Sequence, residues 1–310
     1  MMVSPGDGEE TTMANPTPGR RPDWVDDELF PFESRFTEID GNVVHYVDEG
    51  DGPTLLLYHG NPTWSFLYRD LIAGLRDRFR CVAFDYPGMG LSSASARYGY
   101  TVAEHADVAE ALVEQLDLTG ITPVVQDWGG PIGLSVAGRH PERYRALIIG
   151  NTWAWHSPDL RTRAFSGLLG GPLGRFAIGR WNVFVTRIVP RGHTRRRPTE
   201  AEMAQYEGPY PDVGSRAPTH VFPREILAGE DLVREAEAAV DRLAGLPSLI
   251  VWGTADFAFT DAVRQRWEDA LTDATTVLLD GAGHYIQDDA PDEIVTAIDR
   301  WWPTVAASDG

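Results

Sequence analysis

The 310-residue sequence has no lysine, a single cysteine and no apolar run long enough to cross a bilayer. Each absence excludes something. With Cys81 alone there is no intramolecular disulfide, and its place in the apolar run Arg80-Cys81-Val82-Ala83-Phe84 reads as a buried structural thiol. Without a membrane-length run there is no spanning helix, and the first 22 residues, rich in Pro, Gly, Glu and Thr, lack the apolar core of a signal peptide. A cytoplasmic protein is expected, with residues 1–32 as a disordered tail and lead-in. All 27 basic residues are Arg, against 46 Asp and Glu, for a net charge of -19. Such a charge repels phosphate backbones and anionic surfaces, so neither nucleic acid nor a membrane is expected as a partner. Two explanations of the Lys-free, acidic composition stay open: adaptation to high salt, and an Arg-biased genome with an acidic proteome. A melting curve against salt separates them.

What is present is ordinary globular material, 43% hydrophobic and without internal repeats. From about residue 33, strand-like and helix-like segments alternate, the pattern of a parallel sheet covered by helices. Strands are expected at 35–39, 43–48, 54–58, 80–84, 122–126, 146–149, 248–252 and 275–279, the first two joined as a hairpin at Asp40-Gly41. Helical spacing covers 64–76, 102–116, 132–139, 261–270 and 293–302. Between about 155 and 231 the alternation stops, and Gly, Pro and Arg punctuate short apolar segments. A structureless linker of that length is unusual in a compact protein. An α/β fold of about eight strands is therefore expected, its core at 33–154 and 232–310 and a helical cap inserted at 155–231.

Chemistry concentrates where strands end. In Val124-Val125-Gln126-Asp127-Trp128-Gly129-Gly130 an apolar strand meets a helix through a tight turn, and Asp127 occupies the exposed position of a nucleophile elbow. The glycines supply small neighbours on the helix side, although Val125 stands where the Ser-hydrolase pattern has Gly. Asp256 follows the seventh strand and His284 the eighth, in the chain order nucleophile, acid, histidine. His284 is the candidate base, with Asp256 to hold its imidazole in the right tautomer. After the third strand, His59-Gly60-Asn61-Pro62 lies where such folds place an oxyanion-hole amide. The side chains of Asn61 and Trp128 add uncharged N–H donors suited to a large, soft anion.

Together His59-Gly60-Asn61-Pro62-Thr63-Trp64-Ser65, Asp85-Tyr86-Pro87-Gly88-Met89-Gly90-Leu91-Ser92, Gln126-Asp127-Trp128-Gly129-Gly130 and Gly281-Ala282-Gly283-His284 resemble the haloalkane dehalogenases, an α/β-hydrolase family. The resemblance covers roughly residues 33 to 302 and is weakest in the cap. It implies Asp127 as nucleophile, His284 as base, Asp256 as catalytic acid, and Asn61 with Trp128 as the halide-binding pair. Some members carry a Glu after the sixth strand; this chain reads Ile149-Gly150-Asn151-Thr152-Trp153 there, which leaves Asp256 as the well-placed acid. In the cap, Phe222-Pro223 resembles a segment whose proline touches halide. The implied partners are a small haloalkane, its halide product and further copies in a homo-oligomer, with no metal and no organic cofactor.

Other readings weigh against these. Asp127 alone fits a helix N-cap, Asn61 a turn residue and Trp128 simple packing. Tyr206 and Tyr210 in the cap keep open a soluble epoxide hydrolase, which shares the triad and activates the epoxide oxygen with tyrosines. A cofactor-independent luciferase or oxygenase of the same fold is more remote, and a non-catalytic small-molecule receptor would be expected to have lost a triad member.

Overall fold

The computed structural model describes residues 18–156 and 160–307. Eight strands form one sheet: β1 (Arg35–Ile39), β2 (Asn42–Glu49), β3 (Thr54–Tyr58), β4 (Arg80–Phe84), β5 (Thr122–Asp127), β6 (Leu147–Thr152), β7 (Ser248–Gly253) and β8 (Ala274–Leu279). Their order is β1-β2-β4-β3-β5-β6-β7-β8, with β2 antiparallel to both neighbours and every other pairing parallel. The first hairpin turns at Asp40 and Gly41, both at positive φ (50° and 77°), as a two-residue turn matched to strand twist requires.

Strand periodicity divides the core. Leu56, Tyr58, Val82 and Phe84 face one buried cluster, whereas Leu55, Leu57, Cys81 and Ala83 face another. The first cluster is covered by α2 (Val102–Gln115), α3 (Gly129–Arg139) and a helix after the cap, and the second by α1 (Arg69–Leu75) and the carboxyl-terminal helix. Helix α2 starts on a capping box, Thr101 accepting from the Glu104 amide while Glu104 returns to the Thr101 amide.

Between β6 and β7 every described element is helical: α4 (Leu160–Leu169), α5 (Pro172–Trp181), a π-helical turn (Phe184–Ile188), α6 (Val189–Gly192), α7 (Glu200–Glu207), α8 (Ala217–Ala228) and α9 (Glu230–Leu243). Helix α9 belongs with the core. It buries Leu232, Val233, Ala236, Ala239, Val240 and Leu243, and a Cβ on Gly138 of α3 would meet Ala239 at 2.4 Å, so the two backbones lie close. The core boundary expected at residue 232 thus falls inside a helix that packs on the sheet's own covering layer. Then follow α10 (Asp261–Ala270), α11 (Ile286–Asp289) and α12 (Pro291–Ala307).

Part of the expected amino-terminal disorder needs correction. Residues 1–17 lie outside the described residues, but Phe30 and Phe32 in the lead-in are buried, with the Phe30 ring 5.1 Å from Trp64. Arg21 fixes this segment by donating to the carbonyls of Phe30 (2.6 Å) and Phe32 (3.2 Å). Apolar burial and satisfied carbonyls outweigh the chain entropy there. Among the described residues no helix is long and apolar enough to cross a membrane.

The cap is tied to the core by charge. Buried Arg69 of α1 donates to Asp288 (2.7 Å) and to Glu202 of α7 (2.7 Å), while Tyr206 and His193 also reach Asp288 (2.7 and 2.9 Å). Arg196 adds two bonds to Glu202, and Arg195 reaches the Asp280 carbonyl. Arg196 also donates to the Asp288 carbonyl (3.0 Å), so both arginines bind cap to core. Burial opposes ionisation of Asp288, but Arg69, His193 and Tyr206 overcome it and hold its pKa down to about 2. Asp288→Ala would strip Arg69 of one of its two buried carboxylates. A loss of about 3–5 kcal/mol of unfolding free energy is expected at neutral pH. Because the folded pKa lies below the unfolded one, this contribution is complete above about pH 4 and fades as pH falls toward 2. Urea titrations of both proteins at two pH values check the size and the sign.

Candidate active site

The predicted residues meet at the carboxyl ends of the central strands. Asp127 ends β5 with φ at 50°, a conformation costly for a residue with a Cβ and held by its surroundings. Crowding explains the adjacent glycines: a Cβ on Gly60 would stand 2.3 Å from the Asp127 carboxylate, one on Gly129 2.2 Å from the Tyr58 carbonyl, and one on Gly130 1.9 Å from the Thr152 hydroxyl. The Thr152 hydroxyl also donates to the Asp127 carbonyl at 2.6 Å.

Asp127 does not cap α3, whose N-cap is Trp128 without a side-chain bond. Its Oδ1 instead accepts from the Asn61 amide at 3.0 Å, and the Trp128 amide adds a second backbone bond. Two amides therefore converge on one carboxylate. His284 Nε2 lies 3.7 Å from Asp127 Oδ2, and its Nδ1 lies 3.0 Å from Asp256 Oδ2. Since a carboxylate only accepts, Nδ1 carries the proton and Nε2 is left to take one. Asp256 also accepts from the Ala258 amide (2.7 Å) and the Asn151 carboxamide (2.8 Å).

The electrostatics follow from this geometry. Burial raises the Asp127 pKa, and His284 with the two amides only partly offsets it. For Asp256, burial acts upward too, but His284, Ala258 and Asn151 prevail and the pKa is lowered. Burial would lower His284; the Asp256 carboxylate, with a smaller contribution from Asp127, raises it instead.

Two supporting residues escaped sequence reading. Asn151 occupies the strand position read there only as lacking a Glu, and it accepts from the Gly253 amide at 2.7 Å as well as holding Asp256. Gln126 donates to the His284 carbonyl at 3.0 Å and so fixes the histidine loop. The available signal was a carboxamide near the carboxyl end of an otherwise apolar buried strand, Gln126 in β5 and Asn151 in β6. Asp85 braces its loop, accepting from the His45 ring and from the Ser65 and Leu91 amides. His59 spans Gly60 and Tyr86 through its two nitrogens.

Asn61, Asp127, Trp128, His284 and Pro223 of α8 all line one cavity of about 690 Å³, walled further by Trp153, Phe165, Phe184 and Phe259. Among the described residues the Trp128 indole N–H has no hydrogen-bond partner, and the Asn61 carboxamide reaches only the Thr219 carbonyl, at 3.5 Å. Tyr206 and Tyr210 are elsewhere. Both are buried, and their hydroxyls donate to Asp288 and to the Pro62 carbonyl (2.9 Å), so neither serves the cavity.

Residues 53–291 match the alpha/beta hydrolase fold family. Haloalkane dehalogenase 2 of Mycobacterium tuberculosis is 44% identical over 275 residues, 88% of this chain and 96% of that protein. The chain belongs to the haloalkane dehalogenase family. It is a hydrolase of carbon–halide bonds on an α/β-hydrolase fold. A haloalkane dehalogenase of Sphingobium indicum is 35% identical over 286 residues, 86% of this chain and 95% of the relative. The crystal structure of the Bradyrhizobium elkani haloalkane dehalogenase superposes with a TM-score of 0.81 at 28% identity, covering 89% of this chain and 99% of that one. A different chemistry stands at similar distance: a cis-3-alkyl-4-alkyloxetan-2-one decarboxylase of Shewanella oneidensis is 35% identical over 283 residues, 88% of this chain and 89% of its own.

Proposed function

We propose that the enzyme hydrolyses haloalkanes through a covalent alkyl ester on Asp127. The observation that carries this reading is one cavity wall on which converge a carboxylate, a histidine backed by Asp256, the unpartnered Trp128 indole N–H and the Asn61 carboxamide, whose one contact is at 3.5 Å. An ionised carboxylate needs no base to attack saturated carbon. The bond from carbon to Asp127 oxygen forms as the carbon–halogen bond breaks, and halide leaves with the electron pair toward the Asn61 carboxamide and the Trp128 indole, with Pro223 as a third contact. His284 then takes a proton from water, whose oxygen attacks the ester's carboxyl carbon. The Asn61 and Trp128 amides, already aimed at this carboxyl group, stabilise the oxyanion. Collapse releases the alcohol and restores Asp127, and no step requires a cofactor.

The ester also tunes the base. Alkylation removes the Asp127 charge, one of the contributions that raise His284, so the imidazole is less basic in the ester than in the free enzyme. Ester breakdown requires neutral His284 and is lost as pH falls through its pKa. The acid limb of ester breakdown, measured by rapid quench, is expected to lie at lower pH than the His284 titration of the free enzyme measured by NMR. An equal or higher midpoint contradicts the electrostatic coupling.

The function is tested by assaying short bromo- and chloroalkanes for halide, epoxides for diol, and a cis-3-alkyl-4-alkyloxetan-2-one for decarboxylation. Halide release is expected. Decarboxylation without halide release moves the enzyme to the other relative's chemistry, and diol without halide revives epoxide opening.

A further inference from the structure

The charge of this chain is unevenly distributed. Residues 160–199 contain nine Arg and no Asp or Glu, whereas the rest of the chain carries the other 18 Arg against all 46 acids. Within that basic segment, α4 and α5 both pack inward on α8. The turn between them is tight, since a Cβ on Gly174 would stand 2.1 Å from the Leu169 carbonyl. Their outer side is apolar. Leu168 is 60% exposed, Leu173 75%, Phe176 62% and Trp181 57%, and the Phe176 and Trp181 rings meet edge to face at 5.5 Å. Large apolar side chains clustered in the open mark an interaction site more often than chance exposure.

The cations beside them are also unpartnered. Arg161, Arg163, Arg175 and Arg180 are exposed, and none forms an ion pair with a described residue. Elsewhere arginines are drawn into bridges, as at Arg78 with Asp299 and Arg139 with Glu110 and Glu235. Helices α4 and α5 themselves combine Trp, Phe and Leu with Arg and contain no acid, the nearest being Glu207 of α7 beside Arg180 and Trp181; theirs is the composition of a helix pair that lies in a lipid interface. There the aromatic and aliphatic groups enter the acyl boundary while guanidinium groups meet anionic headgroups.

We propose that the outer face of α4 and α5 docks on an anionic lipid surface. The net charge of -19 argues against such a partner for the molecule as a whole, but docking depends on the charges nearest the lipid, and α4 and α5 together present four exposed Arg and no acid of their own. Helix α4 joins this face to the active-site cavity: its Arg161 and Phe165 line the cavity while its Leu168 stands outside. Docking thus sets the cavity beside the phase in which apolar haloalkanes concentrate.

The test is flotation of the full chain with vesicles of phosphatidylglycerol and phosphatidylcholine, or of phosphatidylcholine alone, at low and high salt. At least tenfold more bound protein is expected on the anionic vesicles at low salt. F176S/W181S should abolish that binding and R175Q/R180Q should weaken it, with halide release from dissolved substrate unchanged in both. Asp127→Asn should bind as wild type does, which separates docking from catalysis. Absent or charge-independent binding, or binding retained by F176S/W181S, overturns the proposal. So does a lipid-free dimer that F176S/W181S dissolves, because a second copy then occupies the face.

Discussion

Asp127→Asn is expected to reduce halide release by at least about four orders of magnitude, the scale seen when a nucleophile is removed from a preorganised site. A neutral carboxamide is a poor nucleophile toward saturated carbon, while the substitution barely changes volume. Neighbouring contacts persist, because the Asn61 and Trp128 amides still find a carbonyl oxygen at position 127. Stability should therefore change little or rise, since a buried carboxylate whose ionisation burial opposes is removed. Activity must be read soon after purification, before deamidation restores Asp. Wild-type halide release at early times would remove Asp127 from the mechanism.

His284→Phe separates the two half-reactions. Asp127 should still be alkylated, but water would lack its base, and turnover should fall about 10²- to 10⁴-fold. Intact-protein mass spectrometry should then find one alkyl group per chain, localised by peptide mapping to the segment containing Asp127. Because His284 favours the charged form of Asp127, its loss raises the Asp127 pKa further, so trapping should be more efficient at mildly alkaline pH. Unmodified protein after substrate exposure, with halide released, counts against the ester.

Much of this was legible in the sequence because the governing signals are local. Continuous apolar runs at 54–58 and 80–84 set strands buried on both faces. Asp40-Gly41 set the hairpin through two positive φ angles. The meeting of Asp127, Asp256 and His284 follows from strand ends, which in a parallel sheet lie together at one edge. What escaped depended on partners distant in the chain. Asn151 gains its place from a β6 neighbour, β7, that delivers Asp256 more than a hundred residues later. The cap tyrosines were ambiguous until Tyr206 met Asp288 and Tyr210 met Pro62. Among the cap's apolar residues, only contacts in space separate Phe165 and Phe184, which line the cavity, from buried Ile178 and from Phe176 on the outside.

Helix α9 is a different case. Its buried positions recur at 232, 233, 236, 239, 240 and 243, with acids in the first turn and Arg242 in the last, a complete amphipathic signature in the sequence. Assigning the whole interval up to residue 231 to the cap hid its start. Net charge misleads in a related way, since a sum over the chain conceals an acid-free segment of 40 residues.

The ester on Asp127 is tested most directly by one turnover in oxygen-18 water with enzyme in excess over a bromoalkane. Covalent catalysis by Asp127 predicts an alcohol without label, because its oxygen comes from the carboxylate, and one oxygen-18 retained in the Asp127 side chain. Label in the alcohol of that first turnover, with none in Asp127, would mean that His284 activates water for direct attack on carbon and that no ester forms.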